Sequence, residues 1–113
     1  MMIEIIVLAL FAIAAIFIGP KEFSEKVIYL LKAVVYLIVG TILLNCDISF
    51  WWKVLYAAFA IWGSIETGKE HEIPSPSSIV GVTIAVMFIF PGWLTALIGG
   101  VLVLIAAKDF KGY

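Results

Sequence analysis

Charged side chains are scarce in this 113-residue sequence: they make up 13% of it, whereas hydrophobic side chains make up 65%. Soluble domains are typically about 45–50% apolar and about 25% charged, so this composition is typical of a protein whose surface faces lipid. Arginine is absent, and all 7 cationic residues are lysines, which removes the bidentate guanidinium preferred for phosphate recognition. The formal net charge of −1 also argues against a nucleic-acid partner, because phosphate binding needs a basic patch.

Cysteine and histidine each occur once, at Cys46 and His71. A single cysteine excludes an intrachain disulfide, and a single histidine excludes heme ligation by two histidines of one chain. No base lies near Cys46 in the sequence to activate its thiol, and we find no zinc motif and no glycine-rich phosphate loop. We therefore expect no enzymatic activity, no cofactor and no metal.

The segment 79–107, about 29 residues, contains no charged residue and no histidine, and a run of 18 or more apolar residues is typical of a transmembrane helix. As one helix it would measure roughly 43 Å, whereas the hydrocarbon core of a bilayer is about 30 Å thick. Lipid offers the backbone no hydrogen bonds, so only helices or a closed barrel can span it, and these continuous runs lack the alternation of barrel strands. We predict an all-α, polytopic transmembrane protein.

The apolar segments predict one transmembrane domain, 1–113, with five short spans. We place these spans at about 2–19, 27–45, 50–65, 78–90 and 93–108, with a polar loop at 66–77. No basic residue precedes the first run, which argues against a signal peptide. Ser24 is the expected N-cap of the second helix, and Ser77 or Ser78 that of the fourth.

Pro91-Gly92 decides between five spans and four. Pro-Gly favours a type II turn, with proline and glycine at the two central positions, and such a turn would fold residues 78–90 back against 93–108. The alternative is four spans, the fourth being a long helix kinked at Pro91, because residues 78–90 would give only roughly 20 Å of helix.

The lysines favour five spans, since the positive-inside rule collects lysines in cytoplasmic loops. With five spans, the amino terminus lies outside, the carboxyl terminus is cytoplasmic, and Lys53 alone lies outside. The lysines then on the cytoplasmic side are Lys21, Lys26, Lys32, Lys69, Lys108 and Lys111.

When Trp51 is aligned with Trp93, Ala57-Ala58 falls over Gly99-Gly100. The apolar runs after the two tryptophans then end together, at Glu66 and Lys108, which suggests two related hairpins preceded by one helix. Trp51 and Trp52 also mark a membrane interface. Small residues four apart allow close helix packing, either within one chain or between subunits, and Gly99-Gly100 is the best candidate for a close approach. The pairs with this spacing are Ala15 with Gly19, Ala60 with Ser64, Gly81 with Ala85, and Ala96 with Gly100.

Three polar residues are candidates for a functional role. Lys32 lies inside the second apolar run, where its side chain either reaches the headgroups or lines a pore. Glu66 ends the third run, where it has an interfacial role or, if deeper, a functional one. His71 lies between two glutamates; they could bind a metal, but the spacing matches no ligand motif, and a solvated loop is the simpler interpretation.

These features predict a small membrane protein that serves as a non-catalytic subunit or accessory protein of a membrane complex. The alternative is a homo-oligomeric channel, a small transporter or a holin-like pore. The expected partners are membrane lipids and either other transmembrane subunits or further copies of the chain.

Overall fold

The computed structural model describes residues 2–19 and 21–109, apart from the side chain of His71. In this part of the chain all regular structure is helical, which confirms the prediction of an all-α fold and the number of helices. The five helices are α1 (Met2–Ile18), α2 (Phe23–Asn45), α3 (Phe50–His71), α4 (Pro76–Met87) and α5 (Trp93–Asp109).

Helices α2 and α3 extend beyond their apolar runs, so the predicted loop at 66–77 is wrong in its first half. Residues 66–71 are helical, because glutamate and lysine favour helix and can continue it into water. The Thr67 hydroxyl donates to the Gly63 carbonyl at 2.8 Å, and the chain leaves the helix at Glu72, whose φ is 69°. Helix α2 begins at Phe23 after Glu22, so Ser24 is not its N-cap.

The fourth helix begins with a different serine from the ones predicted. Ser75 is the N-cap, and its Oγ accepts a hydrogen bond from the amide of Ser78 at 3.3 Å. Pro76 occupies the first turn, where its missing N–H removes no helical bond, so Ser77 and Ser78 lie inside the helix rather than at its cap.

The chain reverses between α4 and α5, which pack against each other; the alternative of one long fourth helix is therefore wrong. The amides of Ile89 and Phe90 still bond to the Val86 carbonyl, at 3.0 and 2.8 Å, and α5 begins three residues after Phe90. Gly92 has a φ of 159°, whereas a type II turn needs about +80° at this position. The expected type II turn is therefore also wrong.

Helix α4 is the centre of the bundle, because it alone contacts each of the other four helices. Nine of its 12 residues are buried. The most extensive contact is between α1 and α5. Helices α2 and α3 both pack on α4, and their backbones scarcely touch each other, although the Tyr36 and Tyr56 side chains meet between them. The predicted arrangement of one helix and two hairpins is therefore wrong in part: α4 and α5 form a packed hairpin, whereas the backbones of α2 and α3 scarcely touch and α1 packs against α5.

Glycines allow these helices to approach closely, as predicted for Gly99-Gly100. A Cβ on Gly81 of α4 would lie 2.6 Å from the ring of Tyr36 in α2 and 3.0 Å from Cβ of Ala60 in α3. Gly99 similarly faces Thr83 of α4, and Gly100 faces Phe11 of α1. Such close contacts bring many atoms of two helices within van der Waals distance, and each contact contributes packing energy.

Two tyrosine hydroxyls connect neighbouring helices. Tyr29 of α2 donates to the Ala12 carbonyl of α1 at 2.7 Å, and its side chain is buried. Tyr56 of α3 donates to the Tyr36 carbonyl of α2 at 2.9 Å, and the Tyr36 and Tyr56 rings meet edge to face, with centroids 5.8 Å apart. These bonds fix the positions of α1, α2 and α3 relative to one another along the bundle axis.

Candidate functional site

The outer surface of the bundle is apolar over most of its length, which is 39 Å along its longest axis. Large hydrophobic side chains of α1, α2, α3 and α5 are exposed, among them Phe17 at 83%, Phe23 at 81% and Trp51 at 76%. Soluble monomers rarely expose contiguous apolar patches of more than a few hundred Å². Of the described helices, α2 alone is both long and apolar enough to cross a membrane, while α1 and α4 are apolar but shorter.

Most of the described lysines lie at one end of the bundle, and three tryptophans lie at the other. Short connections make successive helices run in opposite directions, and the Asn45 side chain at the end of α2 lies 3.8 Å from the Met2 sulfur at the start of α1. At the tryptophan end, where α3 and α5 begin, Trp51, Trp52 and Trp93 are exposed. At the lysine end, where α1, α3 and α5 finish, the chain carries Lys21, Lys26, Lys69 and Lys108.

A groove of about 410 Å³ separates α2 from α3 and has the first turn of α4 as its floor. We call it the α2–α3 groove; Lys32 and Tyr36 line it from α2, and Trp62 and Thr67 from α3. Lys32 lies nine residues after the first residue of α2, about 14 Å along the helix axis. The groove therefore contains a cationic side chain beside a helix N-terminus, whose partial positive charge also favours anions.

The serines at the floor of this groove bond mainly to one another. Ser75 Oγ donates to Ser78 Oγ at 2.9 Å, and Ser78 Oγ donates to the Ser75 carbonyl at 2.8 Å. Ser77 Oγ lies 3.4 Å from Ser75 Oγ, and the Ser75 amide donates to Thr67 Oγ1 at 2.9 Å. All three serines are buried, so this cluster mainly stabilises the start of α4 inside the bundle.

A second groove, of about 580 Å³, lies between α3 and α5, which do not pack against each other in the described part of the chain. We call it the α3–α5 groove. Its floor is α4, and its lining is apolar except for a few groups that include Thr83, Thr95 and Asp109. Ser64 also lines it, and its Oγ is buried without a hydrogen-bond partner.

The three predicted candidates do not form one site. Lys32 is exposed and lines the α2–α3 groove. Glu66 is half-buried near the polar end of α3 and lines neither groove. The side chain of His71, like Lys111, lies outside the described residues. Among the described side chains no group of three or more histidine, cysteine or carboxylate residues could hold a metal.

Sequence reasoning missed the tyrosines that connect the helices and the two grooves beside α3. The Ser-Pro-Ser-Ser sequence at 75–78 indicates a helix start, but the same sequence is equally typical of a surface loop, so it does not predict burial. Comparison with protein-family models, with curated proteins and with solved structures found no match. The function is therefore argued from the geometry of the bundle.

Proposed function

We propose that this chain is a multi-pass integral membrane protein that serves as a non-catalytic subunit or accessory protein of a membrane assembly. The observation that carries the proposal is the continuous apolar surface of four helices. In water this surface would drive aggregation, whereas in lipid it is the ordinary outer face of a helical bundle.

The length of α4 is compatible with this environment. Its 12 residues give about 18 Å of helix, short of the roughly 30 Å hydrocarbon core. A helix that ends inside the membrane is tolerated where protein covers its free backbone groups, and α4 has the other four helices around it. Under the positive-inside rule, the lysines at one end of the bundle favour an orientation in which this end faces the cytoplasm.

Helix α3 supports the role of a subunit. Of the side chains described in α3, only Tyr56 and Ala60 are buried, and the main neighbour of this helix is α4. The face that carries Ala58, Phe59 and Trp62 is exposed. A partner helix on this face would add close contacts that a lone chain lacks, and contact packing drives helix association in lipid.

Photo-crosslinking in native membranes tests this role. A photoreactive residue at Ala58 should give protein adducts, whereas the same residue at Leu10, exposed on α1, should give mainly lipid adducts. The full-length chain should also co-purify with its partner in mild detergent. Equal, lipid-only labelling at both positions, together with a monodisperse monomer, would contradict the proposal.

The second candidate function is a small transporter or channel, including a holin-like pore, and Lys32 is the observation that favours it. Lys32 lines the α2–α3 groove next to the first turn of α4, and broken helices in transporters direct such N-termini at anionic substrates. Anion flux into liposomes that contain the purified protein is the test. Lys32→Gln should abolish the flux, and Glu66→Gln, outside the groove, should leave it unchanged; no wild-type flux would exclude this function.

A further inference from the structure

Lys32 and Glu66 lie at the same level along the bundle axis, on the two sides of the α2–α3 groove. Lys32 of α2 and Thr67 of α3 line the same part of this groove. A Cβ on Gly63 would also lie 3.5 Å from the Tyr36 hydroxyl. These two pairs are one turn apart on both helices, as expected for helices that run in opposite directions. Glu66 immediately precedes Thr67 and therefore lies level with Lys32.

Glu66 belongs to the exposed face of α3 that borders the groove. It follows Phe59 by seven residues and Trp62 by four, a spacing that places all three on one face of a helix. Phe59 and Trp62 line the groove and are 58% and 62% exposed. Lys32 is exposed as well. In the described part of the chain neither Lys32 nor Glu66 forms an ion pair, so this side of the bundle presents one cation and one anion without a counter-ion.

The rest of this side is apolar. Towards the tryptophan end the groove continues as a second depression of about 380 Å³, which shares Val35, Tyr36 and Phe59 with it and is lined by apolar and aromatic side chains. The two depressions together extend along α2 from Lys32 to Leu43, about 17 Å at a rise of 1.5 Å per residue. We call the exposed sides of α2 and α3 that border them the α2–α3 face. Whatever covers this face must neutralise two opposite charges at one end and pack against apolar side chains over the remainder.

A second copy of the chain meets both requirements. Most homodimers have two-fold symmetry, so that each residue of the interface meets its counterpart reciprocally. A two-fold axis parallel to the bundle axis keeps every residue at its own level and places α2 of one copy against α3 of the other. Lys32 of each copy then faces Glu66 of the other copy. On the basis of the membrane-subunit role proposed above, we propose that this chain dimerises through the α2–α3 face, with two reciprocal Lys32–Glu66 ion pairs.

A lipid satisfies this face less completely than a second copy does. An anionic headgroup pairs with Lys32 but is repelled by Glu66 at the same level, and a hydrocarbon chain leaves both charges without a partner. Ionisable side chains of membrane-spanning segments are costly and typically pair with one another. The dimer pairs both charges in each copy and brings apolar side chains of both copies into contact along the groove, where packing contacts drive helix association in lipid.

Co-purification of two differently tagged full-length copies measures the dimer. Both copies are expressed in the same cells, one tag is captured in mild detergent, and the other tag is quantified. Lys32→Glu in both copies should lower recovery at least about tenfold, because like charges then face each other twice, and Glu66→Lys in both copies should do the same. Lys108→Glu is the matched control, because Lys108 is exposed at the same end of the bundle but belongs to α5; its recovery should match that of the wild type.

A mixed pair distinguishes contacts between chains from contacts within one chain. When one copy carries Lys32→Glu and the other Glu66→Lys, both contacts between the copies again join opposite charges, whereas the two positions within each chain carry like charges. Recovery of the mixed pair should return to the wild-type level, which would also show that both variants fold. Recovery as low as that of either variant alone, or wild-type recovery of Lys32→Glu with itself, would overturn the proposal.

Disulfide formation in native membranes tests the same face without changing a charge. Phe59→Cys in a Cys46→Ser background should form a disulfide-linked dimer on mild oxidation, because the side chains of the groove lie close to the two-fold axis. Leu10→Cys in the same background is the control, since Leu10 is exposed on α1, and it should stay monomeric. Equal amounts of dimer from the two cysteines would overturn the proposal.

Failure of this proposal is distinguishable from failure of the subunit role. A photo-adduct of Ala58 with a different protein, without a disulfide-linked dimer of Phe59→Cys, overturns the self-association alone. Lipid-only labelling at Ala58 together with a monodisperse monomer overturns both.

Discussion

Replacing Gly81 by alanine tests whether α4 is packed as closely between α2 and α3 as the structure indicates. The added Cβ would lie 2.6 Å from the Tyr36 ring and 3.0 Å from Cβ of Ala60. Both distances are shorter than van der Waals contact, so the Tyr36 ring or one of the helices must shift. Overpacking of this kind typically costs about 1–3 kcal/mol.

The substitution also has a favourable effect that must be separated from the steric one. Glycine inside a helix is less favourable than alanine by about 0.8–1.0 kcal/mol. Gly68 of α3 provides the control, because a Cβ there meets nothing within 4 Å. Both glycines are helical, so the propensity contributions cancel when the two variants are compared.

We therefore expect Gly68→Ala to be as stable as the wild type or more stable, and Gly81→Ala to be less stable than Gly68→Ala by about 1–3 kcal/mol. The free energy of unfolding is measured in mixed micelles by titration with a denaturing detergent, with helical circular dichroism as the signal. Equal stability of the two variants would refute the close packing of α4 against Tyr36 and Ala60.

Three further predictions concern the N-cap of α4, the hydrogen bond between α2 and α1, and the topology in the membrane. Ser75→Ala should cost about 1 kcal/mol because it removes the N-cap of α4, whereas Ser24→Ala should leave the unfolding free energy unchanged within about 0.5 kcal/mol. Tyr29→Phe should cost about 0.5–1.5 kcal/mol through the lost bond to α1, and unaltered stability would contradict that bond. Cys46, which is exposed at the tryptophan end, should react with a membrane-impermeant maleimide from outside intact cells. Glu72→Cys, in a Cys46→Ser background, should react only after the cells are opened; labelling of both cysteines from the same side would contradict the five-span topology.

The number of helices could be predicted from the sequence because apolar runs and the Pro91-Gly92 break are local signals. The ends of the helices were less predictable. Residues 66–71 are polar and were assigned to a loop, but the backbone of α3 continues through them. Loss of apolar character marks where a helix leaves lipid or the core, and helical hydrogen bonding can extend well beyond that point.

The order in which the helices pack could not be predicted, for a physical reason. In a soluble helix the apolar face marks the side that packs. Here α1, α2 and α5 are apolar around most of their circumference, so their exposed and buried sides look alike in sequence. The packing of α4 against both α2 and α3 depends on long-range contacts of Gly40 with Ile84 and of Gly81 with Tyr36 and Ala60, which no local pattern records.

The central position of α4 follows from the same physics. Its first turn holds Ser75, Ser77 and Ser78, and its later part holds Thr83 and small residues, yet it is the helix with the greatest share of buried residues. In water, serines of this kind favour the surface, which explains their assignment to a loop. In lipid, an exposed hydroxyl or free helix end has no water to bond, whereas leucine and isoleucine face the acyl chains without penalty. In the proposed membrane environment, the central position of α4 keeps its serine hydroxyls and its helix start bonded inside the bundle, while the large apolar side chains of the other helices form the outer surface.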